Sequence, residues 1–362
     1  MDEKVSALSG GLLGMAVGDA MGYPVDRKIW DEIAQMYGPN GLLGYDLANG
    51  NAEITSYTQL ATFVCNGLLL GAIRQNPEKY GRYILLSLRE WAKSQQPRIN
   101  PEKTFCWVAQ VPTMRRRLCM DTRMLDALTR DVVGTPEKPV FRSVFPGALS
   151  AAAAVGLSGL SCKLTRDAVA RLGMEAVAVT HGEPEAFLSG AFAALAVDGV
   201  LRTPGMPLTE LYEQLCLYIE ETYAQVYPEA VQGLTAGVRQ ALVLTRDAEL
   251  SPLAAMTLLG CATAAECVAG MVYASAVHPA NFDEAMIVSV NHSGRSSCVA
   301  ALTGAVLGAR LGKDALPEFY LESLESTWVM EELATDMTQV RQVSKIFDDS
   351  WDHKYVQGLP TR

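Results

Sequence analysis

Residues Thr165–His181 read TRDAVARLGMEAVAVTH, and the apolar side chains in this stretch recur at intervals of three to four residues. The apolar side chains that would share one face of a helix are Ala168, Leu172, Ala176 and Val179. Thr165 stands just before the first turn, and threonine is a residue type that caps helix N-termini. The stretch therefore predicts an amphipathic helix that buries one face.

The same helical spacing recurs along most of the chain. The further predicted helices are Pro184–Leu201, Leu208–Tyr223, Pro228–Asp247, Thr263–Val277, Phe282–Asn291 and Gly294–Leu311. The strict alternation that is typical of strands is not found, and no linker rich in proline, glycine or serine divides the chain. We therefore predict an all-α fold, a bundle of many helices in a single domain that spans residues 1–362.

The charge of the chain bears on the partners it can have. The sequence of 362 residues contains 30 Lys and Arg against 40 Asp and Glu, so its formal net charge is −10. A protein that binds nucleic acid needs a basic face to neutralise phosphates, so we expect no nucleic-acid partner. With 49% apolar residues, the chain can bury a large core without disulfides or structural metal.

The cysteine pattern and the lack of a signal-peptide pattern favour a cytoplasmic protein. The eight cysteines include no C-x-x-C pair and are interpreted as reduced, mostly buried thiols. The N-terminal MDEKVSALSGG is acidic and lacks a long apolar core, so it does not have the pattern of a signal peptide. The uncharged runs Ile54–Ile73 and Ser143–Cys162 contain too many polar and small residues for membrane spans. We interpret them as buried helices and expect no membrane partner.

Two series of glycines recur every four residues. The first series is Gly10, Gly14, Gly18 and Gly22, and the second is Gly304, Gly308 and Gly312. A glycine inside a helix costs roughly 1 kcal/mol relative to alanine, so a compensating interaction is needed. Residues four apart share a helix face, and a face without side chains lets another backbone come close. Tight helix packing is one interpretation, and the floor of a ligand pocket is the other.

General catalytic motifs are missing from the chain. It has no G-x-S-x-G, P-loop, G-x-G-x-x-G or H-E-x-x-H motif, and no two histidines have the spacing of zinc ligands. His181 is expected at a helix C-terminus, where the helix dipole suits its ring, and a catalytic role is the alternative. Cys298 follows Arg295 near a helix start and is interpreted as a buried structural residue, with an activated thiol as the alternative.

Three segments resemble the ADP-ribosylglycohydrolase family. The segment SGGLLGMAVGDAMGYPVD (Ser9–Asp26) resembles the family's opening, and THGEPEAFLSGAFAALAVDGVL (Thr180–Leu201) is similar to its histidine-containing helix pair. The segment VNHSGRSSCVAALTGAVLGARLG (Val290–Gly312) resembles its late metal-binding helix. The order and spacing of the three agree with the family over nearly the whole chain. This resemblance implies a compact, mostly orthogonal bundle of helices with a central cleft.

The resemblance also implies a dinuclear Mg²⁺ site, held by a T-D-D-T motif and a D-[ST]-D-[ST] motif. Here Thr55–Thr58 read TSYT and Arg295–Cys298 read RSSC, so the four aspartates of the two motifs are replaced. Neutral hydroxyls cannot hold Mg²⁺ against its hydration shell, and Arg295 adds a positive charge. The family's mid-chain arginine is also missing from Val144–Leu157. We therefore predict that the Mg²⁺ site is lost and that no metal or other cofactor is bound.

Matching the motifs position by position gives the candidate ligand-binding residues. They are Asp19, Asp26, Ser56, Tyr57, Thr58, Asn291, His292, Arg295, Ser296 and Ser297. Arg295 is expected to point into the cleft and to pair with Asp19, Asp26 or a bound anion, because a buried guanidinium needs partners. Asp26 is the candidate for a catalytic base, and catalytic residues are otherwise unassigned.

Three functions remain open at this point. The leading interpretation is a non-catalytic or impaired homologue that binds an ADP-ribose-like or other nucleotide ligand. The first alternative is a metal-independent hydrolase of N- or O-glycosidic bonds to ADP-ribose, although such enzymes generally use a pair of carboxylates. The second alternative is a scaffold or regulatory partner with a filled cleft. The sequence leaves the oligomeric state open.

Overall fold

The computed structural model describes residues 2–96, 104–118, 121–340, 351, 354 and 355. Sixteen α-helices and no β-strand occur in this part of the chain, so the all-α prediction is confirmed. The helices are α1 (Glu3–Gly22), α2 (Trp30–Tyr37), α3 (Ser56–Ile73), α4 (Tyr80–Ser94), α5 (Thr122–Thr129), α6 (Leu149–Ser158), α7 (Arg166–Ala178), α8 (Pro184–Arg202), α9 (Leu208–Tyr223), α10 (Pro228–Leu244), α11 (Pro252–Leu259), α12 (Ala264–Val277), α13 (Phe282–Val290), α14 (Ser296–Leu311), α15 (Glu318–Ser323) and α16 (Thr327–Thr338).

The helices that were predicted from apolar spacing are present, with ends that shift by up to three residues. Thr165 caps α7, where its hydroxyl accepts a hydrogen bond of 3.2 Å from the amide of Ala168. Helix α10 ends at Leu244 rather than Asp247, and α14 begins at Ser296 rather than Gly294. The later start of α14 makes Arg295 its N-cap residue, outside the helical backbone conformation.

Six helices that are apolar on all sides form the centre of the fold. They are α1, α3, α6, α8, α12 and α14, and nearly all their residues are buried. A helix without a polar face must be covered on every side, so the amphipathic helices α4, α7, α9 and α10 pack around this centre. The two uncharged runs contain α3 and α6, which confirms that they form buried helices.

The two glycine series face each other in the contact between α1 and α14. The helices run antiparallel, because Gly10 lies against Gly308 and Gly14 lies against Gly304. A Cβ atom added to Gly14 would overlap the carbonyl oxygen of Gly304. The interpretation as tight backbone packing is therefore confirmed. Facing backbone fills the space beside Gly10, Gly14 and Gly304, and the interpretation of the glycines as the floor of a ligand pocket stays a prediction.

The seven described cysteines are buried free thiols, as the sequence predicted, and Cys119 lies outside the described residues. By length and composition, two segments of the described chain could cross a membrane, Glu3–Val25 and Pro184–Arg202. Their most apolar windows are 83% and 78% buried inside the protein, which is also the behaviour of core helices. The cytoplasmic location stays a prediction.

Candidate functional site

Asp19 joins the C-terminal part of α1 to the N-terminus of α3. Its carboxylate accepts hydrogen bonds from the amide and hydroxyl of Thr55, at 2.8 and 2.6 Å, and from those of Thr58, at 3.1 and 2.6 Å. Four is about the number of hydrogen bonds that a carboxylate can accept. Burial raises the pKa of Asp19, and the bonds from the two threonines partly offset the rise. Asp19 therefore stabilises the helix start and has no acceptor to spare for a ligand.

Asp26 and Arg295 form a buried ion pair next to this junction. The Oδ2 atom of Asp26 lies 3.3 Å from Nη2 of Arg295 and 3.6 Å from Nε of Arg27. The amide of Ser297, in the first turn of α14, donates to Oδ1 of Asp26 at 3.3 Å. Burial raises the pKa of Asp26 to about 6, although Arg295 and Arg27 lower it in part. The expectation that Arg295 pairs with a neighbouring acid is confirmed.

An open cavity of about 510 Å³ begins at this ion pair. Its lining residues are Tyr23, Asp26, Arg27, Asp121, Thr122, Arg123, Phe145 and Arg295. They come from the end of α1, the start of α5, the loop before α6 and the residue that precedes α14. The cavity is thus built from four parts of the chain that meet only in the folded protein.

Three guanidinium groups surround the ring of Phe145 in this cavity. The guanidinium carbon of Arg295 lies 4.1 Å from the ring centre, and those of Arg27 and Arg123 each lie 5.8 Å from it. The electron-rich face of an aromatic ring attracts cations, which partly compensates for bringing like charges together. A cluster of this kind favours an anionic ligand, because an anion would neutralise the remaining repulsion.

Asp121 and His181 form a second polar pair at the cavity, which sequence reasoning did not bring together. His181 follows the C-terminus of α7, as expected, and its Nε2 lies 3.3 Å from Oδ2 of Asp121. Burial alone would raise the pKa of Asp121, but hydrogen bonds with His181 and Arg123 outweigh this effect and hold its pKa well below its usual value. Asp121 therefore stays ionised, and it fixes Arg123 through two bonds of 3.1 and 3.2 Å.

Of the predicted ligand-binding residues, Asp26 and Arg295 line the cavity. Ser56, Tyr57 and Thr58 form the first turn of α3 and are buried. The Tyr57 hydroxyl is buried and makes no hydrogen bond within the described structure. Ser296 is also buried, in the first turn of α14. These four side chains do not line the cavity, and their binding role stays a prediction.

Asn291 and His292 lie in the loop between α13 and α14 and have structural partners. The amide of Asn291 bonds both the N–H and the carbonyl of Leu42, each at 2.8 Å, and so holds the chain that follows α2. His292 is buried, its Nε2 lies 3.0 Å from the Ser289 carbonyl, and burial lowers its pKa to about 4. His292 is therefore neutral near pH 7.

The residues at the two motif positions do not fit a dinuclear magnesium site. Asp19 uses its acceptors on Thr55 and Thr58, and the Asp26 carboxylate faces two guanidiniums. Mg²⁺ requires several anionic or neutral oxygens in octahedral geometry, and a neighbouring guanidinium repels it. Within the described residues, no three side chains of His, Cys, Asp or Glu come together in a way that could hold a metal ion.

Comparison with known proteins agrees with this architecture. A protein of Archaeoglobus fulgidus described as uncharacterized is 26% identical over 332 residues, which are 91% of this chain and 95% of that protein. A solved structure of an ADP-ribosylglycohydrolase-related protein complex superimposes with a TM-score of 0.53 at 21% identity, over 94% of this chain and 99% of that one. At this identity, the likeness shows a common fold. Residues 2–346 match the ADP-ribosylglycohydrolase family, and the chain therefore belongs to that family.

Proposed function

We propose that this protein binds an ADP-ribose-like or other nucleotide ligand in the cavity beside Arg295, and that it lacks the family's Mg²⁺-dependent hydrolysis. The Asp26–Arg295 ion pair is the observation that carries the proposal. Arg295 places a fixed positive charge at the position of the second metal motif. It also pairs with Asp26, the acid that by the family resemblance would lie near the metals. The same charge attracts the phosphates of a nucleotide.

The cavity supports binding in two further ways. It is open and adjoins several charged side chains, so a polar ligand can enter and find partners. Hydrogen bonds of Asp19 fix the start of α3, and those of Asn291 fix the chain that follows α2. A rigid protein loses less conformational entropy when a ligand binds. The net charge of −10 of the whole chain favours a small anion over a nucleic acid, because a polymer would also face the acidic surface.

The decisive experiment is a titration with ADP-ribose, followed by calorimetry and by thermal unfolding, with and without 5 mM Mg²⁺. We expect binding of ADP-ribose that does not depend on Mg²⁺, and no stabilisation by Mg²⁺ alone. A ligand at 100 times its Kd would add ~2.7 kcal/mol to the free energy of unfolding, which a melting curve resolves. Stabilisation by Mg²⁺ alone, reversed by a chelator, would contradict the proposal. Absence of any nucleotide binding would favour the scaffold function instead.

One observation favours a second candidate, a metal-independent hydrolase. Asp26 and Asp121 line the same cavity, and their environments shift their pKa values in opposite directions. Such a pair resembles the acid and the ionised carboxylate of a glycosidase. Asp26 would then protonate the leaving group and, once ionised, accept the proton of the attacking water, while Asp121 would stay ionised and stabilise the positive charge that develops on the sugar.

Turnover of ADP-ribosyl-arginine in a chelator separates the two functions. The binding protein that we propose releases no ADP-ribose above the uncatalysed rate. A hydrolase would release it without metal and would lose this activity in the Asp26→Asn variant. The replacement keeps the size of the side chain and removes its acidic proton, so a loss of turnover would report on chemistry if ADP-ribose still binds.

A further inference from the structure

The cavity has a charge opposite to that of the whole protein. Its lining contains three arginines and two aspartates, which gives one net positive charge when both acids are ionised, in a chain whose net charge is −10. Both aspartates are already paired with these arginines, Asp26 with Arg295 and Arg27, and Asp121 with Arg123. The acids therefore orient the guanidiniums and leave an excess of positive charge for a ligand.

Arg295 has donors that the protein itself does not use. The residue is only 8% exposed, yet its Nε and Nη2 atoms make no hydrogen bond within the described structure. The ion pair with Asp26 is 3.3 Å long and supplies attraction without a hydrogen bond from Nη2. Nε and Nη2 are enclosed by the protein, so Arg295 offers a ligand its positive charge and the part of its guanidinium that lines the cavity.

Arg27 and Arg123 stand at the open side of the same cavity. Each side chain is 55% exposed, and each guanidinium lies 5.8 Å from the centre of the Phe145 ring. Asp121 engages Nε and Nη2 of Arg123, while a guanidinium has five N–H donors in all. The two exposed arginines and the buried one thus line one cavity, and each lies within 6 Å of the Phe145 ring centre.

We propose that this cavity binds a phosphomonoester dianion, with Arg27, Arg123 and Arg295 as donors. A phosphomonoester has three terminal oxygens and a charge near −2 at pH 7. It therefore matches three guanidiniums better than a ligand with a single carboxylate would. The inference rests on the proposed function of the same cavity and narrows its ligand. The part of the ligand that enters the cavity most deeply is then a terminal phosphate. The family resemblance would instead imply a neutral sugar bound to metal ions.

Calorimetric titrations at fixed ionic strength test the proposal with two matched pairs of probes, AMP against adenosine and ribose 5-phosphate against ribose. Inorganic phosphate serves as the fifth probe. The variants are Arg27→Gln and Arg123→Gln, which change half-exposed side chains and leave the core intact. Arg171→Gln is the control, because Arg171 is also half-exposed but pairs with Glu175 on the surface of α7.

We expect each phosphorylated probe to bind at least roughly tenfold more tightly than its partner without phosphate. Arg27→Gln and Arg123→Gln should each weaken this binding by roughly tenfold or more, and Arg171→Gln should leave it unchanged. A clear preference for AMP over ribose 5-phosphate would identify a nucleotide as the source of the phosphate. Equal binding of AMP, ribose 5-phosphate and inorganic phosphate would identify the phosphate group alone.

Two results would overturn the inference. One is equal affinity for the members of each pair, and the other is unchanged affinity in both arginine variants when their melting temperatures match that of the natural protein. If ADP-ribose bound while no phosphomonoester did, this inference would fail and the proposed function would stand. If phosphomonoesters bound and ADP-ribose did not, the inference would stand and ADP-ribose would be excluded as the ligand.

Discussion

Nη2 of Arg295 lies 3.3 Å from Oδ2 of Asp26, and both side chains are at least nine-tenths buried. Burial costs each ion its hydration, and the attraction between the two ions repays this cost only in part. The pKa of Asp26 is raised for the same reason, because burial raises it by more than the charge of Arg295 lowers it. We therefore infer that Asp26 serves to orient Arg295 at the cavity, and that the pair adds little to the stability of the fold.

The pH dependence of stability should reveal this cost. Burial raises the pKa of Asp26 from its usual 3.8 to about 6, so the folded state binds the proton more tightly than the unfolded state does. Protonation of Asp26 therefore stabilises the folded state fully below about pH 4, and this stabilisation is lost as the pH rises to about 6. Its upper limit is about 3 kcal/mol. Asp26→Asn should not show this loss.

Urea unfolding of both proteins at pH 4, 5, 6 and 7 measures this difference. The natural protein should lose stability relative to the Asp26→Asn variant as the pH rises from 4 to 6. Because the other titrating groups are common to both proteins, the difference isolates Asp26. Two parallel stability curves would mean that the pKa of Asp26 is not raised.

Removal of Arg295 should destabilise the protein more than removal of the whole pair. Arg295→Met leaves the carboxylate of Asp26 buried with only the half-exposed Arg27 beside it. The double variant Asp26→Asn/Arg295→Met removes that charge as well, so it should recover about 1–3 kcal/mol at pH 7 relative to Arg295→Met. A double-mutant cycle by urea unfolding measures the coupling. Strictly additive effects would show that the two side chains do not interact.

Asp19 should be the polar residue of this region that contributes most to stability. Asp19→Asn replaces one acceptor oxygen by an NH₂ group that faces the donors of Thr55 and Thr58, so we expect a loss of about 2–4 kcal/mol in the free energy of unfolding. Asp2→Asn is the control, because Asp2 caps the exposed start of α1 through the amide of Lys4. It should change the stability by less than about 0.5 kcal/mol, because asparagine is an equally good cap. Similar losses in the two variants would contradict the assigned role.

The glycines of the α1–α14 contact should not tolerate even a methyl group. Gly14→Ala would push its Cβ into the backbone of Gly304, and we expect a loss of about 3 kcal/mol or more in the free energy of unfolding. Gly233→Ala is the matched control, since Gly233 is an exposed glycine in α10 with open space beside it. It should gain about 0.5–1 kcal/mol from helix propensity. A stable Gly14→Ala variant with an unchanged melting temperature would disprove the close contact.

The sequence by itself determined the class of fold and much of its local detail. Apolar spacing predicted α7 to α10 and α12 to α14 to within three residues, because the period of a helix is a local property. Thr165 was recognisable as a cap for the same reason, since it bonds the amide only three residues further on. The glycine series predicted a close contact between helices, and the family resemblance predicted that the aspartates of the metal motifs are replaced.

The tertiary structure decided which side chains form the cavity. Asp121 and His181 are far apart in the chain, and neither has a neighbour in sequence that indicates the other. The arrangement of Arg27, Arg123 and Arg295 around Phe145 likewise depends on how four segments pack. Packing also separated two acids that looked equivalent in the sequence: Asp19 accepts hydrogen bonds from the start of α3, and Asp26 lines the cavity. The physical reason is that hydrogen bonds and ion pairs act over a few ångströms in space, and the helix contacts that set those distances are not encoded in any short segment.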